Sequence, residues 1–428
     1  RPRLAEVERV ALGRSSHSRI LAAFKVAETP EAAHAFLIRS GYWPESHNPW
    51  PERQGAVLQS VNLPLPALPQ EERRDLTHLA SWAIDDEGNT DPDDAISLEG
   101  DRIWVHVADV AALVRPDSPL DLAARERSAN LYLPEKVVSM LPETLTDELG
   151  LGLKEVSPAL SFGFRLNEEA EVTEIEILPS WVKVTRISYD AVESRLGEEE
   201  FARLHAITRR YRQARQVRNA AQIDLPEVSV TLIDGEVQIR SLPRLAARQM
   251  VTDAMLMAGE AAARHAMAHD IAIPYAVQPE PQEIRQPTTM SEAYAYRRLF
   301  RPSNAALTPD RHFGLGLEYY ARATSPLRRY MDLVVHQQLR AHVMGQSPLP
   351  REKVGERVAA ASAVSGVVRR AERLSNLHWK LIWLKAHPQW QGEAVVVALE
   401  ERKAVVMIPE LALETRIRRS EDMQPDQT

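Results

Sequence analysis

Four aspartates, Asp85, Asp91, Asp93 and Asp94, fall within ten residues of the segment Ile84-Asp85-Asp86-Glu87-Gly88-Asn89-Thr90-Asp91-Pro92-Asp93-Asp94-Ala95-Ile96. Carboxylates ~4 Å apart repel by roughly 4 kcal/mol per pair at the effective dielectric of a protein surface, so a convergent cluster needs cations or protons. Oxygen ligands with no Cys or His nearby suit Mg²⁺, or Mn²⁺, better than zinc. A calcium loop of the EF-hand kind fails at two positions. Counted from Asp91, Ile96 stands where the turn glycine belongs and Arg102 where the bidentate glutamate belongs. A solvated acidic turn fits the spacing as well as a metal loop does, and the cluster by itself leaves both open.

Far downstream, Thr324-Ser325-Pro326-Leu327-Arg328-Arg329-Tyr330-Met331-Asp332-Leu333 offers anion chemistry. Thr324 or Ser325 is placed to cap a helix with Pro326 in its first turn, and Leu327, Met331 and Val334 or Val335 then share a buried face. Arg328 and Arg329 would stand near the helix start, where backbone N–H groups and the dipole favour an anion. An oxygen-rich metal loop plus an arginine-bearing helix start suggests phosphoryl chemistry. Taken alone, the arginines fit a surface pair equally well.

In order and spacing, the two segments resemble the ribonuclease II family of RNB-domain exoribonucleases. The first matches the pattern I-D-x(5)-D-x-D-D-A and the second T-S-P-[IL]-R-[RK]-Y. Further similar stretches are Val105-His106-Val107-Ala108-Asp109-Val110, Leu131-Tyr132-Leu133-Pro134, Ser139-Met140-Leu141-Pro142-Glu143, His312-Phe313-Gly314-Leu315 and Arg370-Ala371-Glu372-Arg373. Each is weak alone, and the ordered set, over residues 75 to 385, is strong.

The resemblance implies a metal-dependent hydrolytic 3′→5′ exoribonuclease that releases nucleoside 5′-monophosphates from single-stranded RNA. It implies Asp85, Asp91, Asp93 and Asp94 as the metal carboxylates, with Asp93 and Asp94 catalytic. Arg328 would touch the scissile phosphate with Arg329 beside it, Tyr132 would stack on the 3′ nucleotide, and Glu372 would lie near that nucleotide. Asp109 precedes the helical pattern Val110 to Val114 and reads as a structural N-cap. The chain departs from the family at Arg322, where a histidine is common, and at Leu149-Gly150-Leu151, where a Cys-containing stretch is common. It also lacks a base-stacking Phe near Ile273 to Pro279, where Tyr275 is either a substitute or core. Two rivals stand beside this reading: a catalytically silent RNA-binding regulator on the same scaffold, and a phosphodiesterase acting on DNA or small nucleotides.

The elements that must hold these residues can be read from pattern. Leu79 to Ile84, Ala95 to Leu98 and Arg102 to Ala108 read as strands, which places the acidic loop on a sheet. Val228 to Ile233 and Glu236 to Arg240 read as a hairpin, and Ala246 to His269 and Arg351 to Leu384 as long helices. The catalytic body, 69–388, is therefore α+β. Before it, residues 1–68 show three short helices, opened at Ser16 or Ser18 and at Thr29-Pro30, and then a proline-rich extension from Trp50 to Leu68. This suggests a winged helix-turn-helix, or a plain three-helix packing module. After it, 389–428 carries strands at Glu393 to Leu399 and Ala404 to Ile408, resembling the start of an OB-type, ribosomal S1-like barrel with too few residues for five strands.

At 428 residues the chain has ample capacity for two or three domains. Zero cysteines exclude disulfides, thiolate ligands and cysteine nucleophiles and agree with a reducing compartment. No apolar run or signal pattern suggests a membrane, so a cytoplasmic monomer is expected. The net charge of −8 argues against nucleic acid only on average, because arginines cluster at Arg297-Arg298, Arg328-Arg329 and Arg369-Arg370. Local basic stripes can neutralise a threaded backbone while the outside stays acidic.

Overall fold

The alternation seen around Val105 and Val107 becomes the centre of a seven-stranded sheet in the computed structural model, which describes residues 4–428. In spatial order the strands are Arg74–Asp75, Val172–Val182, Ser157–Leu166, Arg102–Ala108, Asp94–Glu99, Ser81–Asp85 and Val184–Ser188. The two edge pairings are parallel and the four inner pairings antiparallel. Successive side chains face opposite sides. Val105 and Val107 join a core with the helices Glu199–Val217 and Ala246–Ala268. Trp104 and Ala108 join a second core with Met140, Leu145, Leu333 and Val334. Gly163 leaves room for the Trp104 ring on the neighbouring strand, since a Cβ there would come within 2.6 Å of the indole.

Both long helices form as expected, over Ala246–Ala268 and Arg351–Ala386, and so does the hairpin Val228–Ile233 with Glu236–Ser241. The helix after the arginine motif differs from expectation. It begins at Tyr330, with Arg329 at its N-cap, and not at Pro326. Arg329 instead bridges Ala129, Asn130 N–H donates to the Arg328 carbonyl at 2.9 Å, and Tyr330 N–H donates to the Ser128 carbonyl at 2.8 Å. These strand-like bonds hold residues 325–329 as a turn. Ser325 does not cap the helix; its N–H donates to Asp332 at 2.9 Å.

Asp109 is also a correction. It occupies the N-cap position of Val110–Leu113 but its side chain makes no capping bond. It is buried and paired with Arg73 at 2.7 Å and Arg340 at 3.0 Å. Two guanidiniums outcompete a backbone N–H for a buried carboxylate.

At the N-terminal end, helices Ala5–Ala11, Arg19–Ala23 and Pro30–Arg39 enclose Val7, Val10, Leu21, Leu37 and Trp43. Ser18 and Thr29 cap the second and third. Trp50–Arg53 is a further helical turn, so the extension begins after it and not at Trp50, and no strand forms in residues 4–73. Asn48 ties this region to the body by donating to Glu135 at 2.8 Å and to Ser375 at 2.9 Å. At the other end, Val395–Leu399, Lys403–Ile408 and Leu413–Arg418 make a three-stranded antiparallel sheet. Its Val397, Val405 and Met407 pack on Tyr294 and Met290. No helix among the described residues is long and apolar enough to cross a membrane.

Candidate active site

The acidic loop joins two antiparallel neighbours, leaving from Asp85 at the end of one strand and returning at Asp94 at the start of the next. Gly88 supplies the left-handed turn, with φ 82°. Asn89 Oδ1 accepts the Asp91 N–H at 3.1 Å, Arg186 donates to the Asn89 carbonyl, and Arg248 pairs with Asp86. The loop is thus anchored to the sheet and to the start of the helix Ala246–Ala268.

The two sequence motifs meet at Asp93. Its Oδ1 accepts the Leu327 N–H and its Oδ2 accepts Arg328 Nε, each at 2.9 Å. The turn at 325–329 is what aims Leu327 N–H and Arg328 at the loop, more than 200 residues away in sequence. Burial pushes the Asp93 carboxyl up to about 7 against the pull of Arg328. Burial also pushes Asp94 up to about 8, with Asp85 and Asp93 as neighbouring negative charges adding to it. Asp85 is raised by burial as well, with Asn89 and Arg328 opposing.

Among the described residues, no three of these aspartates bring one oxygen each within 4.8 Å of one another. The reason is visible in their partners: Asp93 turns to Arg328 and Leu327, while Asp91 Oδ2 accepts from the Tyr132 hydroxyl at 3.2 Å and from Asn130 at 3.3 Å. Among the described residues no N–H or O–H donates to the Asp94 carboxylate, on which the charges of Asp85 and Asp93 act more strongly than those of Arg328 and Arg329. A half-buried carboxylate with no donor beside two others is an electrostatic deficit that a hard cation or a proton relieves, and an all-oxygen donor set suits Mg²⁺ or Mn²⁺. The residues present fit such an ion.

Tyr132 stands in the short strand Leu131–Leu133 and is 39% exposed as a residue, while Leu131 and Leu133 are buried. That inward–outward–inward pattern leaves a π-face open. Glu372, on the helix Arg351–Ala386, accepts the Tyr132 N–H at 2.9 Å. Tyr132, Arg328, Arg329, Arg322, Arg369 and Glu372 line one cavity. Arg329 is partly committed there, because it pairs with the buried Asp332 at 2.7 Å. Tyr275 reaches the same cavity wall but is only 3% exposed, which makes it core in this fold.

Sequence reasoning missed three neighbours. Asn130 holds Asp91 and, through Oδ1, the Met140 N–H at 2.7 Å; its position two residues before Tyr132 was the available signal. Tyr189 lies close enough to Asp85 and Asp94 to resist ionisation, chiefly through burial, and Arg248 stacks 4.2 Å over its ring. Neither carries a local sequence signal.

A sequence profile described as "RNB domain" matches residues 73–299 and 288–345, more than half of the chain, and holds every proposed ligand, Tyr132 and Arg328. The chain belongs to the RNB-domain family. A "Double HTH domain" profile matches residues 1–49. An uncharacterized ribonuclease of Synechocystis is 36% identical over 403 residues, covering 89% of this chain and 60% of that protein. The chain spans 47–60% of the length of that protein, the chloroplastic/mitochondrial ribonuclease II of Arabidopsis thaliana and the ribonuclease R of Chlamydia muridarum.

Solved structures share the fold at lower identity. An active-site mutant of the Dss1 exoribonuclease from Candida glabrata is 17% identical with a TM-score of 0.80, covering 98% of this chain and 63% of that one. Mycoplasma genitalium RNase R in complex with ribose-methylated single-stranded RNA is 19% identical with a TM-score of 0.73, over 86% and 68%. Yeast Ssd1, a pseudonuclease, is also similar, 19% identical with a TM-score of 0.68 over 83% and 51%. This fold therefore occurs with and without nuclease activity, and activity has to be argued from the residues.

Proposed function

We propose that this chain is a divalent-metal-dependent 3′→5′ exoribonuclease that hydrolyses single-stranded RNA to nucleoside 5′-monophosphates. The observation that carries the reading is the junction at Asp93, where a carboxylate loop and Arg328 meet beside a cavity walled by Tyr132 and arginines. A silent relative has no need to retain Asp85, Asp91, Asp93, Asp94 and Arg328 together.

Asp85, Asp91, Asp93 and Asp94 would hold Mg²⁺ or Mn²⁺, which when bound supplies an acidified water and offsets charge on the departing oxygen. Arg328 contacts Asp93 through Nε, and its terminal amino groups can fork onto a phosphate, a geometry lysine cannot copy. Burial opposes the charge on Arg328, but Asp93 and Asp94 keep it firmly protonated. Tyr132 offers any base a stacking surface, worth roughly 1–3 kcal/mol, and is held by Glu372 at its backbone and by Asp91 at its hydroxyl. Glu372 is thus a positioning residue.

Single-stranded RNA labelled at its 5′ end, and a matched DNA, incubated with Mg²⁺ and resolved by length, test the reading. A descending ladder of labelled fragments from RNA, with unlabelled nucleoside 5′-monophosphates recovered by chromatography of the same reaction, supports it. Equal attack on DNA would instead make the chain a general phosphodiesterase, and RNA binding with no Mg²⁺-dependent product would make it a silent binder.

A further inference from the structure

Outside the aspartate site, His265 and His269 on the helix Ala246–Ala268 and its C-cap, and His342 in the last turn of Tyr330–Val343, bring one ring nitrogen each within 4.8 Å of one another. It is the one group of three or more metal-ligating side chains so close among the described residues. The ring centroids are 4.4 Å apart for His265–His269, 4.6 Å for His269–His342 and 5.6 Å for His265–His342.

Two features point to a ligand. The spacing of four puts His265 and His269 on one helix face, the arrangement that metal-binding helices use, and the buried Nε2 of His265 has no hydrogen-bond partner. Both helices end here, so the negative ends of two dipoles converge on the rings and favour a cation. Three imidazoles are wrong for Mg²⁺, which demands oxygen, and right for zinc and its neighbours in the first transition row.

We propose that His265, His269 and His342 bind one zinc-class transition-metal ion that ties the end of the helix Ala246–Ala268 to the end of Tyr330–Val343. Three protein ligands leave a fourth position for water, as in other three-residue zinc sites. The ion would fix the far end of the helix whose N-cap is Arg329, roughly 20 Å along the axis from the arginines. It is chemically and spatially distinct from the carboxylate site.

Untagged protein saturated with Mg²⁺, to block the aspartates, is titrated with Co²⁺ and then Zn²⁺. The structure predicts one equivalent of Co²⁺ with the visible absorption of a low-coordinate nitrogen site, displaced by Zn²⁺, and a higher melting temperature with Zn²⁺. His269→Ala and His342→Ala should weaken Zn²⁺ binding by at least roughly 10–100-fold and abolish the thermal shift. His269 is exposed, so its variant is the one least exposed to folding failure, and a circular dichroism melt without metal checks that. Wild type that takes up no more Co²⁺ or Zn²⁺ than His269→Ala overturns the proposal.

Discussion

Arg328 has two tasks, neutralising Asp93 and meeting the phosphate, and these separate experimentally. Loss of one preorganised donor to developing charge costs on the order of 10²–10³ in rate, so Arg328→Ala should slow single-turnover cleavage by that factor while RNA affinity falls far less. Proportional losses would make Arg328 a docking residue. The carboxylates carry a pH signature. Asp93 and Asp94 sit near 7 and 8 when folded, above their value in an unfolded chain, so between about 4 and 8 the folded state holds protons that the unfolded state releases. Stability of metal-free protein should therefore fall as pH rises through that window, and the fall should be blunted by Mg²⁺. A flat melting temperature from pH 5 to 8.5 without metal would mean the carboxylates are not crowded as described.

Among the elements, the strand Leu131–Leu133 decides the end point of digestion. Tyr132→Ala removes roughly 1–3 kcal/mol of stacking, which should stop degradation at a longer residual fragment while long substrates are still attacked. If the melting temperature drops and the product ladder is unchanged, Tyr132 is only a strand residue. The element scale is also where the sequence was most and least readable. Alternation around Val105 and periodicity in Ala246–Ala268 are local, and both elements formed as expected. The start of Tyr330–Val343 was not legible, because bonds from Ser128 and Asn130, some 200 residues earlier, override the local Ser-Pro signal. Asp109 failed as a cap for the same reason, since Arg73 and Arg340 reach it from distant segments. The role of Arg328 came from the family resemblance, whereas the pairing of Arg329 with Asp332 emerged only in the structure.

Taken as one molecule, the chain places its site between a sheet, a turn from late in the sequence and a helix that spans from body to both ends. The terminal sheet is part of that packing. Val397, Val405 and Met407 cover Tyr294 and Met290, Arg297 pairs with Glu414, and Asp426 accepts from Ser291 Oγ at 2.6 Å. Removing 391–428 should accordingly expose an apolar helix face and lower the melting temperature, with RNA of all lengths losing affinity alike. A truncated protein of unchanged stability that loses only long RNA would show the sheet to be an RNA-holding module instead. The arginine cluster at Arg297-Arg298 illustrates the limit of reading charge from sequence, because Arg297 serves Glu414 and the Tyr294 ring.

The most direct test of the central claim is Asp93→Asn assayed on one preparation for Mg²⁺-dependent hydrolysis and for RNA binding. The substitution keeps the shape that accepts the Leu327 N–H but removes one negative charge from the cation site. Hydrolysis should collapse at saturating Mg²⁺ while RNA affinity holds or rises with the loss of repulsion. Near-wild-type turnover in this variant would contradict the assignment of the aspartate loop as the metal centre.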